Sequence, residues 1–561
     1  MLRVLLAACL SGLLVQATTA QWTFDATFPP VTSPTADAGD LGGHGIAVDP
    51  EGKIWWHGFS ATDSVIVPEL GGNWYPIREI FVWHPDGTPA SFSPLQFLDF
   101  PDGGRDTLGG RVVTDGFGNK SWEGRSGRGL RASSDGHILA SQFNTLYKID
   151  YRTGAGLGKF TYVSSLRQAA TDRFGNVYVA PVLSYYPVYM LEPDLSFSKV
   201  LNVQPRDHGR TLEVTHDGLY FFNTEYESPH TVVYERSDFN SPFDSVGIVF
   251  QGLQVESIAF HPTTGNVWAS SGNALNSNLV DLDTYTLNTW YEFDIDDILD
   301  YATSGGVHPA PLDSITWSPD PYEGRPRGLA FSPDGSTAYV TQFSQPYPHI
   351  QRFTYQPPVV LTGSVRLVGA LENGLMRTDL NASSLLPLSQ PYSQAPWSYT
   401  GIERVNAIPN SRVVDWMLLG LRTSPTGPDV VQRAAFVLSD GSLTDLDGES
   451  RVPFFGASSG PYYVSVTHRN HIVGVSQTPL VSGTAFQITL QAQNLESCSP
   501  LSYGTLCPGD IDQDGEVTAA DIQLWQDVVP ATSVYSPADL NLDGNVDQLD
   551  ILDVWLPHNG Y

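Results

Sequence analysis

The stretch GIAVDPEGKIWW, residues 45–56, consists of an apolar run, a turn with Asp, Pro and Gly, and a second apolar run. Five further stretches follow the same order and begin at residues 129, 168, 211, 257 and 328. The start-to-start spacings are 84, 39, 43, 46 and 71 residues, and values near 40–45 match one four-stranded antiparallel unit. Each phrase predicts two strands around a tight turn. The first spacing leaves room for another copy near RVVTDGFGNKSW, residues 111–122.

The six phrases resemble the repeats of the NHL and YVTN-type β-propeller families. Clear copies are GLRASSDGHILA, residues 129–140, and GLAFSPDGSTAYV, residues 328–340. The resemblance implies a mainly β fold in which residues 21–356 form a six- or seven-bladed β-propeller. The 52 Gly and 41 Pro among 561 residues also favour a chain with many turns.

The residues directly before the six phrases are mostly basic: His44, Arg128, Arg167, Arg210, Glu256 and Arg327. The innermost strand of a propeller blade lines the central channel, so we expect these side chains to gather at one end of that channel. Arginine forks suit carboxylate or sulfate groups, which predicts an anionic ligand such as an acidic sugar. The alternative is that each arginine satisfies carbonyl groups of a neighbouring blade or an Asp of a turn.

Several aromatic side chains are candidates for stacking on sugar rings: Trp55, Trp56, Trp74, Tyr185, Tyr186 and Tyr347. Alternating aromatics such as Trp55 and Trp56 are typical of a core, whereas Tyr185 and Tyr186 belong to the loop-like LSYYPVY, residues 183–189. The histidines show no H-x-x-x-H or H-E-x-x-H spacing, and the chain has no G-x-S-x-G elbow or Walker loop. These motifs therefore signal neither a transition-metal site nor those enzyme classes.

Residues 357–493 alternate apolar and polar positions between Gly, Pro and Asp turns, which predicts a β-sandwich. VDWMLLGLR, residues 414–422, and YYVSVTHRNH, residues 462–471, resemble an uncharacterised accessory domain of secreted bacterial proteins. That resemblance implies no chemistry. His468, Arg469 and His471 are either a small site or a cluster that holds a turn, and the second reading is favoured.

The C-terminal region contains two oxygen-rich loops, DIDQDGEVTAAD at residues 510–521 and DLNLDGNVDQLD at residues 539–550. Their oxygens at positions 1, 3, 5, 7 and 12, with Gly at position 6, fit the wrapping of a short segment around Ca²⁺. Position 7 would contribute a backbone carbonyl. The predicted ligands of two Ca²⁺ ions are Asp510, Asp512, Asp514, Glu516 and Asp521, then Asp539, Asn541, Asp543, Asn545 and Asp550.

A loop followed by a helix, twice and without an entering helix, resembles a type I dockerin over residues 508–558. The resemblance implies a small α-helical calcium-binding domain that docks onto a cohesin-type module. Loop positions 10 and 11, which face cohesin in the family, are Ala519-Ala520 and Gln548-Leu549. The two faces therefore differ, which argues against two equivalent docking modes.

The N-terminal MLRVLLAACLSGLLVQATTA, residues 1–20, has the features of a signal peptide, which predicts a secreted or cell-surface protein. No other segment is long and apolar enough to predict a membrane span. In an oxidising compartment Cys498 and Cys507 are expected to pair within the 494–507 linker. The alternative is two free thiols.

The formal net charge of −31 argues against nucleic acid and anionic membranes as partners, because phosphate binding requires clustered cations. Two functions remain open. In the first, the propeller is a recognition or scaffold module for a carbohydrate or protein, attached through the calcium-dependent tail. In the second, it is an enzyme on an anionic substrate, such as a polysaccharide lyase, lactonase or glycoside hydrolase, with His44 as base. The sequence shows no paired carboxylate or nucleophile signature, so recognition is favoured. The sequence contains no motif from which we predict an oligomeric state.

Overall fold

The computed structural model is mainly β and consists of many small antiparallel sheets. It describes residues 22–29, 42–203, 205–272, 278–317, 325–343, 350–457, 460–480, 490–492 and 504–558. The predicted signal peptide, Tyr347 and Cys498 lie outside these ranges. The chain divides into two compact units, Met1–Tyr355 and Gln356–Tyr561.

Six sheets contain the six sequence phrases, one phrase in each, as the first two strands. Sheet 1 has Gly43–Val48, Ile54–Gly58 and Ile80–Trp83; sheet 2 has Gly127–Ala132, Ile138–Gln142, Thr145–Ile149 and Gly156–Thr161; sheet 3 has Ala170–Thr171, Val177–Val179, Tyr189–Leu191 and Phe197–Val200. Sheet 4 has Leu212–Val214, Tyr220–Thr224, Thr231–Glu235 and Asp244–Val249; sheet 5 has Ile258–Phe260, Val267–Ser270, Thr289–Phe293 and Asp313–Thr316; sheet 6 has Pro326–Phe331, Thr337–Gln342, Ile350–Tyr355 and Trp22–Phe28.

In five of the six phrases an Asp side chain accepts backbone hydrogen bonds within the turn, and in the phrase that begins at residue 257 His261 takes this place. In sheet 1 the Asp49 carboxylate accepts the Lys53 amide at 2.9 Å and the Trp55 indole Nε1 at 2.9 Å. In sheet 3 Asp172 accepts the Tyr178 hydroxyl at 2.9 Å in the same way. The aromatic residue stands six positions after the Asp in both cases. The repeated order of Asp, Gly and aromatic residue therefore closes the turn and fixes the second strand.

Hydrogen bonds connect every one of the six sheets to the next, and the sixth to the first. The pairs, in order around the unit, are Gly129 N to His57 Nε2 at 3.2 Å, Ser141 Oγ to Arg167 O at 2.7 Å, Gln168 N to Arg210 O at 3.1 Å, Gln254 Nε2 to Tyr226 O at 2.5 Å, His261 Nε2 to Gly335 O at 3.1 Å and Trp56 Nε1 to Thr341 Oγ1 at 3.2 Å. The strand Trp22–Phe28 pairs with Ile350–Tyr355, so the N-terminal strand completes the last sheet.

Three hairpins are inserted around sheet 1: Asp63–Val67 with Asn73–Ile77, Phe97–Asp99 with Arg105–Thr107, and Gly110–Thr114 with Lys120–Gly124. The third contains RVVTDGFGNKSW, so this stretch is a two-stranded hairpin and not another four-stranded sheet. The hairpins share a small core that includes Val65, Val67, Ile77, Val112 and Trp122. Helix Ile295–Ser304 lies between the last two strands of sheet 5.

The second unit is built on one six-stranded antiparallel sheet. Its strands, in order across the sheet, are Leu443–Thr444, Asp429–Leu438, Val413–Arg422, Tyr463–His468, His471–Ser476 and Leu490–Ala492. Two-stranded ladders join Val359–Leu361 to Val452–Phe454, Arg366–Leu367 to Thr505–Leu506, Leu371–Glu372 to Leu375–Met376, and Ala531–Thr532 to Asn545–Val546. A second large sheet, as a sandwich would need, is not found among the described residues. Leu380 of the short helix Asp379–Ala382 and the loop residue Tyr392 pack on the core instead.

Residues 504–558 contribute to the same unit rather than forming a detached body. Helix Ala519–Gln526 follows the first oxygen-rich loop, and a π-helix at Asp550–Trp555 continues into Leu556–His558 after the second. Ile472 of the large sheet completes a core with Val517, Leu540, Val554 and Trp555. None of the described helices has the length and apolarity needed to cross a bilayer.

Candidate functional site

The direction of the strands decides which candidate residues share one end of the six sheets. The first strand of each sheet starts at the end where the second strand finishes, because the two are antiparallel. His44, Arg128 and Arg327 lie at the start of first strands, and Arg210 directly precedes one. We call these four residues the collar.

The collar residues are close enough to affect one another electrostatically. Burial first, and then the guanidinium groups of Arg327, Arg128 and Arg210, hold the pKa of His44 well below its usual range. The imidazole is therefore neutral at pH 7. Burial, and then Arg210, lowers the pKa of Arg128 to about 10, so this group stays cationic at the same pH. Three guanidinium groups thus surround one neutral imidazole.

Aromatic rings support each guanidinium group of the collar. Arg128 lies 4.9 Å from the centre of the Phe59 ring, Arg210 lies 4.4 Å from Tyr226, and Arg327 lies 4.9 Å from Phe343. Such cation–π contacts cover one face of the guanidinium plane and leave its N–H edge for other partners. Phe59 and Phe343 directly follow the second strand of their sheets, and Tyr226 follows two residues after one. Sequence reasoning missed these rings, although their regular place after the second strand was a usable signal.

The collar arginines differ in what they bind within the protein. Arg327 forms a buried ion pair with Glu256, the acidic residue at the equivalent position before sheet 5. Arg128 and Arg210 are only partly buried, and the described residues offer neither of them an ion pair or a side-chain hydrogen bond. Arg128 and Arg210 therefore differ from Arg327, whose acidic partner is buried with it.

Arg167 is fully buried and spends its donors inside the protein. Its Nε donates to the Pro181 carbonyl at 2.9 Å, and Nη1 donates to Asn223 Oδ1 at 2.9 Å and to the Thr224 carbonyl at 3.2 Å. Its Nη2 donates to the Asp207 carbonyl at 3.3 Å. Arg167 thus follows the second interpretation that the sequence allowed, in which an arginine side chain donates to nearby backbone carbonyls instead of binding a ligand.

His44 is 3% exposed and lies against two aromatic rings. The centres of the Phe59 and Phe343 rings are 5.7 Å and 5.5 Å from the imidazole centre. Nδ1 of His44 is buried and finds no hydrogen-bond partner in any other described residue. The imidazole could accept a proton, but the rings restrict the size of any group that reaches it.

An open cavity of about 1430 Å³ lies where the first strands end, opposite the collar. Its lining includes Arg131 and Glu213, which are ion-paired, and Arg131 Nη2 also donates to the Ile258 carbonyl at 3.0 Å. The carboxylate of Glu213 is therefore neutralised by Arg131. The pair connects sheets 2, 4 and 5 across the middle of the unit.

The two oxygen-rich loops share several internal hydrogen bonds. In the first, Gly515 N donates to Asp510 Oδ2 at 3.2 Å, and Glu516 N donates to Asp514 Oδ1 at 2.8 Å. In the second, Gly544 N donates to Asp539 at 2.9 Å, and Asn545 N donates to Asp543 at 2.8 Å. Gly515 and Gly544 have φ of 90° and 86°, a conformation that favours glycine. Position 6 thus needs glycine in both loops.

The acidic residue at position 12 closes each loop. Asp521 accepts the amides of Ile511 at 2.6 Å and Thr518 at 2.7 Å. Asp550 accepts the corresponding amides of Leu540 at 2.7 Å and Asp547 at 2.8 Å. The Asp side chain at position 12 is therefore long enough to bridge the two halves of each loop.

Carboxylate oxygens of Asp510, Asp512 and Asp514 lie within 4.8 Å of one another. Asp510 Oδ1 is fully buried and has no hydrogen-bond partner among the residues described. Burial first, and then Asp521, raises the pKa of Asp510 to about 7. A buried oxygen without a partner, facing two further carboxylates, is the arrangement that a hard cation with oxygen ligands fits.

The HRNH turn, residues 468–471, joins the large sheet to both loops. Arg469 Nε donates to Asp415 Oδ2 at 3.0 Å, and Tyr535 OH donates to Asp415 Oδ1 at 2.7 Å. His468 Nε2 lies 3.2 Å from Asp415 Oδ2. Asn470 Nδ2 donates at 2.7 Å to the carbonyl of Asp539, which is position 1 of the second loop. The cluster therefore holds the turn, as the favoured sequence interpretation has it, and Asn470 also connects the turn to the second loop.

Cys507 is 3% exposed and forms a disulfide. Its predicted partner lies outside the described residues, so the pairing with Cys498 stays a prediction. The carbonyl of Cys507 accepts the Ile472 amide at 2.8 Å, which attaches the start of the tail to the large sheet.

No protein-family model matches the chain, and no curated protein matches it. A chain in the crystal structure of the mitotic checkpoint complex is 11% identical, over 62% of this chain and 97% of that one, with a TM-score of 0.31. The X-ray structure of a proposed gluconolactonase is 12% identical, over 61% and 93%, with a TM-score of 0.34. Scores of this size carry no argument about activity, so the function has to be inferred from the site.

Proposed function

We propose that the first unit is a six-bladed β-propeller that recognises an anionic ligand, and that the protein is a secreted modular protein. Support for the propeller comes from the six small sheets and from the hydrogen bonds that connect each to the next and the last to the first. The strand Trp22–Phe28 joins the two ends of the unit within sheet 6. In such a ring the collar surrounds one mouth of the central channel.

The observation that carries ligand recognition is the pair of guanidinium groups at Arg128 and Arg210. Both are partly exposed, both are held against aromatic rings, and neither has an acidic partner among the described residues. Partly desolvated cations attract anions, and a guanidinium edge matches a carboxylate or sulfate with two parallel hydrogen bonds. The ligand class that fits is an acidic sugar.

Calorimetric titration of the full chain with galacturonate and with inorganic sulfate tests this function. Arg128→Gln and Arg210→Gln should each weaken galacturonate binding by roughly 10- to 150-fold, the range that corresponds to a lost charged hydrogen bond. Arg152→Gln, a 62% exposed arginine away from the collar, is the matched control. Failure of the unaltered protein to bind either anion would remove the proposal, as would equal affinities in Arg210→Gln and Arg152→Gln.

For the tail we propose two Ca²⁺ sites, with the ligands predicted from the sequence. The fit is supported by Asp510 Oδ1, which is buried and has no hydrogen-bond partner among the described residues, and by the hydrogen bonds that the two loops share. Bound Ca²⁺ would supply positive charge that offsets the repulsion of the Asp side chains and would thereby stabilise the folded loops. Titration of the full chain after chelation should show two binding events, and loss of one should follow substitution within one loop.

The docking function proposed for the tail rests on the resemblance to dockerins and on exposed apolar residues at the end of the second loop and on the helices. Leu524, Leu549, Leu552 and Leu556 are 39%, 47%, 55% and 50% exposed. Leu549 stands at position 11 of the second loop, and the other three are on helices. Exposed apolar side chains favour a protein partner, and we propose a cohesin-type module. Binding of a purified type I cohesin in calcium, and its loss in chelator, is the expected result. No binding in calcium would overturn the cohesin assignment.

A catalytic role at the collar is the second candidate, and the neutral His44 is the observation that favours it. A neutral imidazole among guanidinium groups could remove the C5 proton next to a uronate carboxylate. The electron pair then forms the C4=C5 double bond as the C4–O glycosidic bond breaks, and the departing sugar takes up a proton as its hydroxyl; this is the chemistry of a polysaccharide lyase. Incubation with polygalacturonate would then yield unsaturated uronate products that absorb in the ultraviolet. His44→Ala should abolish this signal. Absence of products with the unaltered protein would exclude this activity on polygalacturonate.

A further inference from the structure

We propose that exposed aromatic side chains flank the collar and form sugar-stacking subsites, so that the ligand is an acidic oligosaccharide and not an isolated anion. Tyr185 and Tyr186 form the subsite on one side of Arg128, and Trp74 forms the subsite on the other. The proposal rests on the anion-binding function of the collar. It adds that the ligand has further sugar rings on both sides of the acidic group.

Chain direction brings these aromatic residues to the collar end. In each sheet the second strand finishes at that end, so the connection from the second to the third strand lies there as well. Trp74 belongs to the connection of sheet 1, residues 59–79, and Tyr185 and Tyr186 belong to the connection of sheet 3, residues 180–188. Trp55 and Trp56, in contrast, are 0% and 2% exposed and belong to the core.

The connection of sheet 3 presents its two tyrosines to solvent on a supported loop. Tyr185 is 70% exposed and Tyr186 is 36% exposed. Tyr185 has a φ of 64°, an uncommon conformation for a residue with a side chain, and its amide donates to the Pro205 carbonyl at 2.8 Å. The Tyr186 ring meets Tyr162 edge-on at 6.5 Å, and Tyr162 in turn accepts the Tyr189 hydroxyl at 2.8 Å. Because the positive φ of Tyr185 is unfavourable for a residue with a side chain, the loop holds its exposed rings at the cost of local backbone strain.

The connection of sheet 1 presents Trp74 on a rigid hairpin. Trp74 is 65% exposed and stands opposite Ile66, which is 52% exposed. The alternate residues Val65, Val67 and Ile77 point into the small hairpin core. Because that core fixes the hairpin, the outward position of Trp74 follows from the strand alternation and not from a loose loop.

Sheet 2 lies between these two connections and has a very short one of its own. Only Phe143 and Asn144 join its second strand to its third. Arg128 starts the first strand of this sheet, and its guanidinium lies 6.0 Å from the Phe143 ring. The short connection lies beside Tyr162, whose carbonyl accepts Asn144 Nδ2 at 3.0 Å and whose ring meets that of Tyr186. The inserted hairpin that ends at Gly124 enters sheet 2 at the same end. A sugar chain bound at this end would bring one carboxylate to the collar and neighbouring sugar rings to the aromatic side chains.

Calorimetric titration of the full chain with galacturonate and with tetragalacturonate tests the subsites. The unaltered protein should bind the tetramer at least about tenfold more tightly than the monomer. Tyr186→Ala and Trp74→Ala should each remove much of this difference and leave monomer affinity unchanged. Phe197→Ala, a 57% exposed ring on the outermost strand of sheet 3, is the matched control and should retain the full preference.

The outcomes separate this inference from the function on which it rests. Equal affinities of the unaltered protein for monomer and tetramer would overturn the subsites and leave anion recognition intact. A tetramer affinity unchanged in Tyr186→Ala or in Trp74→Ala would overturn the subsite on that side of Arg128. Binding of neither compound would overturn both the collar function and the subsites.

Discussion

Replacement of Asp415 by Asn should destabilise the second unit more than most single changes in it. Asp415 is fully buried and accepts hydrogen bonds from Arg469 and Tyr535, with His468 in contact. It is the buried counter-charge of Arg469, which is itself 2% exposed. The Asn side chain keeps the shape and some hydrogen bonds but removes the negative charge.

The expected loss follows from leaving the Arg469 guanidinium buried without its partner. Removing one member of a buried ion pair costs about 3–5 kcal/mol. For a unit of about 150–250 residues, 1 kcal/mol lowers the melting temperature by about 2–4 °C, so the expected shift is roughly 6–20 °C. The contact between Arg469 and the Tyr535 ring, at 4.4 Å, remains in the variant, so we expect a loss of stability below the upper end of this range.

The effect should depend on pH with a defined sign. Burial alone would raise the pKa of Asp415, but Arg469 and the hydrogen bonds of His468 and Tyr535 hold it below its ordinary value. The carboxylate therefore stabilises the fold above the unfolded-state pKa of about 3.9, and this contribution is lost as the pH falls through the folded-state pKa. The unaltered protein and Asp415→Asn should approach each other in stability in acid.

Differential scanning calorimetry of the full chain, at neutral pH and in acid, measures this prediction. Asp440→Asn is the matched control, since Asp440 is 48% exposed and lies 3.7 Å from the exposed Arg412. An exposed pair of this kind contributes about 0–1 kcal/mol. A melting temperature for Asp415→Asn equal to that of Asp440→Asn at neutral pH would refute the role of Asp415 as the required counter-charge.

Three further predictions concern other parts of the protein. Asp543→Ala should abolish one of two calcium-binding events in a calorimetric titration and leave the other, whereas Asp527→Ala, outside the loops, should retain both. Arg167→Met should lower the free energy of unfolding of the first unit by about 3 kcal/mol, because several buried acceptors lose a charged donor; unchanged denaturant stability would contradict this. Burial, and then Asp63, raises the pKa of Glu79 to about 7, so folding should weaken as the pH rises through that value. Glu79→Gln should remove this dependence in urea denaturation, and an identical pH profile in both proteins would argue against it.

The repeated phrases and the oxygen-rich loops could be predicted because their information is local. Asp49 and Trp55 are six residues apart, and their hydrogen bond forms within one turn and two strands. In the tail, positions 1 to 12 of one loop supply both the donors and the acceptors of its closure, as Asp510 and Gly515 illustrate. In sheets 2, 3 and 4 the strand order also follows from short connections.

The state of each arginine could not be predicted, because it depends on residues far apart in the chain. The phrase positions of Arg128 and Arg167 are equivalent in sequence. Asn223 and Thr224, more than 50 residues away, engage Arg167, whereas the described residues leave the guanidinium of Arg128 without an acidic partner. The sequence also left open whether residues 111–122 are a seventh copy. In the structure they form a two-stranded hairpin, which packs against the other inserted hairpins.

By itself, the sequence determined that the first unit repeats a strand–turn–strand phrase and that the tail carries two equivalent oxygen-rich loops, since both depend on groups within about a dozen residues. Only the tertiary structure decided that Trp22–Phe28 completes the sixth sheet, pairing residues more than 300 positions apart. It also decided that the HRNH turn contacts the second loop through Asn470. Such contacts depend on which surfaces meet after folding, and side-chain hydrogen bonds across that distance leave no periodic pattern in the chain.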